Sequence, residues 1–185
     1  MTFLNPHSGA APTPEPEAPD LADLAARWVS WVARHRRPTS PIADPSGRHA
    51  GRHQPADVWF LAGTHGGSVQ RHCVVPSGRP LFFPAFCWWQ VGGGAGPAEP
   101  DLDATGHAQL DGLPVALTPA GSAEPFPVRG FFNNVVTMWP WSVPVSCWGL
   151  WGLIPPPGPG RHELSFGGTD GGRFWVEAQY QIEVR

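Results

Sequence analysis

The sequence predicts an all-β fold, an antiparallel β-sandwich or jelly roll with one amphipathic helix near its N-terminus. Three observations predict it. Short apolar runs recur along the 185 residues, separated by turns drawn from 23 Gly and 24 Pro. The last run alternates strictly, with Phe174, Val176, Ala178, Tyr180, Ile182 and Val184 on one face and Trp175, Glu177, Gln179, Gln181 and Glu183 on the other. Asp111-Gly112 lies between two extended runs, a strong hairpin signal because both turn positions need positive φ. Ten Trp and ten Phe argue for a packed core, since disordered chains are poor in aromatics.

Taken in order, residues 1–19 are rich in Pro, Ala and Glu and read as a disordered leader. Residues 20–185 read as one domain, long enough to bury a core. Asp20 is the N-cap expected for a helix over 20–37, with Asp23 as a weak capping-box partner. Leu21, Leu24, Trp28, Trp31, Val32 and His35 form its apolar stripe, and Pro38 ends it. Strand candidates follow at 58–62, 71–75 and 81–89, the last broken by Pro84, which marks an edge or a bulge. The hairpin joins 107–110 to 113–117. Further strands are expected over 127–136, 148–154, 161–166 and 173–184, with Gly-rich residues 167–172 turning between the last two.

Composition excludes several classes. The formal net charge is −3 and all 12 basic residues are Arg, so no basic stripe calls for nucleic acid. The one dense run, residues 34–37, falls at the expected helix end, where cations meet the negative end of the dipole. No apolar run reaches the roughly 18 residues of a membrane helix, so no membrane partner is expected. The start lacks the basic and apolar regions of a signal peptide. Cys73, Cys87 and Cys147 are odd in number without CxxC spacing and read as reduced, buried thiols of a cytoplasmic protein. A single disulfide among them stays open.

Two blocks, residues 58–67 continuing as 71–84, and 157–168, resemble a widespread family of uncharacterised, often secreted, small bacterial β proteins. The resemblance extends over most of residues 28–184. It implies a β fold but brings no catalytic residues. It also implies a Cys near the position of Ala50, able to pair with the one matching Cys73; this chain lacks it.

The candidate chemistry is sparse. His49 and His53 have helical metal-ligand spacing, but a Pro- and Gly-rich loop holds them and no further ligand is signalled; no metal site is expected. No P-loop, Rossmann fingerprint or nucleophile elbow appears, so no cofactor is expected. His65, in a Gly-rich loop after a buried strand, is the candidate general acid or base. His72 and Cys73 are strand neighbours and point to opposite faces, which leaves Cys73 as a core thiol or a partner of His65. Arg71, Arg129, Asn133 and Asn134 could orient a polar ligand group beneath the helix, or could be strand-surface polarity and a turn. Trp88 belongs to aromatic clusters larger than a core of this size needs, and Trp28 and Trp31 place an aromatic helix face over the expected pocket.

Two functions follow as expectations. One is a hydrophobic small-molecule-binding sandwich, acting as a cofactor-free isomerase, lyase or cyclase of bacterial specialised metabolism. Its catalytic residue would be His65, with Arg71, Arg129, Asn133, Trp88 and Trp28 binding the ligand. The other is a non-catalytic module that binds carbohydrate or protein through exposed Trp, which would equally suit a homodimer.

Overall fold

The computed structural model describes residues 19–185, so all of the expected leader but Pro19 lies outside the described residues. The helix comes first. In α1 (Leu21–Ala33) the Asp20 carboxylate caps the N-terminus, accepting from the Ala22 and Asp23 amides at 2.9 and 3.3 Å. Leu24, Ala25, Trp28, Val29, Trp31 and Val32 form its buried stripe.

The helix ends one turn earlier than its periodicity predicts. The Arg34 and His35 amides drop back to the carbonyls of Trp31 and Val32, and a short 3-10 turn at Arg37–Thr39 follows. The Phe131 amide donates to the Ala33 carbonyl at 3.0 Å, and a Cβ on neighbouring Gly130 would strike that oxygen. This loop contact satisfies a C-terminal orphan of the helix. The basic run 34–37 therefore stands beyond the last turn rather than in it.

The strands are β1 (Trp59–Phe60), β2 (Gly67–Val75), β3 (Leu81–Val91), β4 (Thr105–Leu110), β5 (Leu113–Pro114), β6 (Leu117–Gly121), β7 (Phe126–Val128), β8 (Val143–Ile154), β9 (Gly160–Thr169) and β10 (Trp175–Val184). One sheet runs β1-β3-β8-β6 with β7 also on β8, and the other β2-β10-β9-β4-β5. Asp111 and Gly112 take φ of 51° and 78° in the β4–β5 turn, as the Asp-Gly signal requires.

The expectation of a purely antiparallel sandwich is corrected. Both sheets are mixed, because β1 pairs parallel to β3 and β2 parallel to β10. The β9–β10 hairpin inserts β10 beside β2, and β2 runs in the same direction. The strand expected over 127–136 is also corrected: β7 stops at Val128, and residues 129–141 form a turn-rich loop.

The result is three layers. Between the sheets, Phe83, Phe166 and Tyr180 stack in series at 4.5 and 5.9 Å, walled by Leu81, Leu164 and Ile182. On the other face of the first sheet, α1 lays Trp28 edge-on against Trp151 at 5.7 Å, and Trp151 stacks on Phe82 at 5.0 Å. That sheet is covered on both faces, which is why β3 and β8 read as unbroken Phe and Trp runs. The β10 pattern alternates because its sheet has one wet face.

Candidate functional site

The β1 strand covers only Leu81 and Phe82 of β3. A bulge between Pro84 and Phe86 follows, and past it the same edge of β3 has no strand partner. A cleft of about 450 Å³ runs along this uncovered edge. Its lining is chiefly apolar: Trp28 and Ile42 from the helix side, Phe86, Trp88 and Trp89 from β3, and Phe174 and Val176 from the second sheet. Thr64, His65, Asp101 and Asp170 supply the polar groups.

Local geometry holds each wall. The chain leaves β1 through residues 63–67, where the Thr64 hydroxyl accepts from the Gly66 amide at 2.9 Å and donates to the Gly67 carbonyl at 3.2 Å. Gly66 takes φ 116°, which L side chains avoid, and a Cβ there would meet the Phe174 ring at 3.6 Å. Asp170 fixes the facing hairpin by accepting from the amides of Gly172 and Phe174 at 2.8 and 3.3 Å. Trp28 donates its indole N–H to the Leu61 carbonyl at 2.8 Å and so forms a fixed floor.

His65 stands at the mouth of the cleft with one side open to water. Partial burial, and then the charge of Arg37, hold its imidazole below the ordinary pKa. It is neutral at pH 7 and able to take a proton. No hydrogen bond orients its ring among the described residues, so a ligand would have to do so.

His65, Trp28 and Trp88 thus come together, and the other expected ligand-binding residues do not. Arg71 is 4% exposed and turned away into the fold. Its guanidinium donates to the carbonyls of Ile42, Asp44, Ala62 and Gly63 and to the Tyr180 hydroxyl. All three of its nitrogens donate to buried acceptors, which makes it a clamp beneath the cleft wall. Arg129 and Asn133 lie exposed on the 129–141 loop, outside the cleft. The buried amide is that of Asn134. It donates to the Phe131 carbonyl and the Thr137 hydroxyl, and accepts from the amides of Val136 and Thr137.

Cys73 packs in the inter-sheet core, away from His65. Burial pushes the thiols of Cys73 and Cys147 up to about 12 and Cys87 upward as well, and all three are free. None is a thiolate nucleophile at neutral pH. His53 packs against His35 at 5.1 Å and Phe131 at 5.9 Å. Among the described residues, no three His, Cys, Asp or Glu side chains converge to hold a metal.

Phe174, Asp170 and Asp101 are cleft residues that the sequence reading missed. They come from loops far apart in the chain, and only the spacing of the Gly-rich hairpin hinted at the first two.

Fold and cleft define a mostly β protein of two mixed sheets with one helix on its outer face. No protein-family model matches the chain, and no curated protein is found similar to it. No helix among the described residues is long and apolar enough to cross a membrane.

Proposed function

We propose that this chain binds a hydrophobic small molecule in the cleft along the free edge of β3. His65 exchanges a proton with the bound molecule, in a cofactor-free isomerase, lyase or cyclase reaction of bacterial specialised metabolism carried out in the cytoplasm. The observation that carries this reading is one apolar cleft, of a size that suits small ligands, with a neutral imidazole at its mouth. Orientation by the aromatic walls and one proton transfer suffice for such reactions.

Intrinsic Trp fluorescence tests it, because Trp28, Trp88 and Trp89 line the site. Titration with a panel of apolar compounds should give saturable quenching. His65→Ala should keep the binding and lose the conversion of the bound compound. Absence of quenching by every compound sinks the cleft reading. A second reading, a non-catalytic module for carbohydrate or protein that could also form a homodimer, rests on the exposed Trp139 and Trp141. It predicts quenching by such partners and no change in His65→Ala.

A further inference from the structure

Away from the cleft walls, the molecule exposes its apolar side chains unevenly. Nine large ones stand exposed among the described residues, and five of them fall in one loop: Phe131, Phe132, Met138, Trp139 and Trp141. Phe132 is 61% and Trp141 56% exposed. A concentration of this kind marks a contact surface, whereas scattered single residues do not.

The loop is built to hold them there. Asn134, fully buried, ties the turn together; Asn133 takes φ 61°, which Asn tolerates, and Met138 takes φ 65°, which a Met adopts only under constraint. The Asn133 amide closes the turn on the Met138 carbonyl at 2.8 Å. Trp139 and Trp141 stack at 4.7 Å and 11°. The two indoles cover one another instead of lying side by side.

Arginines frame this lip. Arg36 lies over the Phe131 ring at 5.9 Å, and the Arg37 guanidinium approaches the Met138 sulfur at 3.8 Å. Arg34 and Arg129 flank the joint where Phe131 bonds to Ala33. Neither residues 30–43 nor 126–142 contain an Asp or Glu, and none of the four arginines is ion-paired among the described residues. On a chain of net charge −3, this end is locally cationic.

We infer that the 129–141 lip with Arg34, Arg36, Arg37 and Arg129 seats the protein on an anionic lipid surface. The aromatic tips would enter the headgroup region and the guanidinium groups would meet the phosphates. Trp and Phe at such an interface with Arg alongside is the side-chain chemistry that lipid surfaces select. The expectation of no membrane partner rests on the absence of an apolar span, which bears on crossing a membrane; resting on one is a different demand. Arg37 also links the lip to the cleft, since its charge acts on His65. An apolar ligand taken from a bilayer would enter where the protein touches it. That preference for lipid over an acidic protein or a single-stranded nucleic acid rests on the proposed cleft; the lip itself does not.

Vesicle sedimentation with the full chain tests the inference. Vesicles of phosphatidylcholine with about a third phosphatidylglycerol should bind roughly tenfold more protein than phosphatidylcholine alone. The difference should vanish near about 0.5 M salt. Brominated lipid should quench Trp fluorescence in the wild type, and the quenching should fall in Trp139→Phe/Trp141→Phe. Phe132→Ser and Arg36→Glu should each lower binding severalfold without changing small-molecule quenching in the cleft. Failure to sediment with anionic vesicles at low salt overturns the inference. So does sedimentation without bromine quenching, and so does stronger retention by a single-stranded oligonucleotide or polyglutamate. If vesicles bind but no compound fills the cleft, the lip stands and the cleft reading fails.

Discussion

Two irregular stretches of this molecule are each tied by one buried polar side chain, and they are put to opposite uses. Arg71 gathers the carbonyls of residues 42, 44, 62 and 63, and everything it gathers ends up covered. Asn134 gathers residues 131–139, and the aromatic side chains it organises end up in water. The first knot supports the cleft wall through Ile42 and Gly63. The second presents a lip. Buried polar groups are hydrogen-bonded in both, so satisfaction alone does not distinguish a structural loop from an interacting one. What distinguishes them is where the neighbouring apolar side chains point.

Arg71→Ala is the most severe way to break the comparison. It strands the carbonyls of Ile42, Asp44 and Gly63 in a dry interior, while the Ala62 carbonyl and the Tyr180 hydroxyl keep each other, and should cost about 4 kcal/mol of stability. Urea unfolding followed by Trp fluorescence measures it. A loss under about 1 kcal/mol would mean that the clamp is dispensable.

Acid should act next, beneath the lip. His35 is 1% exposed, donates Nδ1–H to the Trp31 carbonyl at 2.9 Å and packs on His53, which packs on Phe131. Burial lowers its pKa from 6.5 to about 4, against the raising effect of the Trp31 carbonyl. The fold favours the neutral ring, so its contribution is fully present above pH 6.5 and is lost as pH falls through 6.5 toward 4. About 3 kcal/mol should disappear over that window. His35→Phe, neutral at every pH, should remove that share of the slope; an unchanged slope would assign it to other groups.

The smallest effect is expected at the second knot. Asn134→Ala should cost about 2 kcal/mol, with the amides of Val136 and Thr137 exchanging faster while the inter-sheet core keeps its protection. If the core lost protection equally, the lip would be part of the main cooperative unit and the contrast with Arg71 would collapse.

Local rules made parts of this fold legible. The Asp20 cap, the Asp111-Gly112 turn and the alternation of β10 depend on residues a few positions apart, and each was readable. The inner face of β2 carried a usable signal as well: Arg71 shares it with Cys73 and Val75, so period two already turned Arg71 inward. The neighbouring asparagines carried none, because Asn133 and Asn134 have the same chemistry and only the turn decides which is buried. The helix end at Ala33 depends on a carbonyl contact with Phe131, and the cleft on the early stop of β1. Both are set by distant parts of the chain, beyond the reach of local periodicity.

The parallel pairing of β2 with β10 has a consequence for how the molecule is made. The β10 strand lies between β2 and β9, so the second sheet cannot close until β10 has left the ribosome. Until then β2 has no strand partner and the inter-sheet core lacks Ala178, Tyr180 and Ile182. Folding from so many non-local contacts is slow. The nascent chain therefore passes through an aggregation-prone interval that ends with the arrival of one strand.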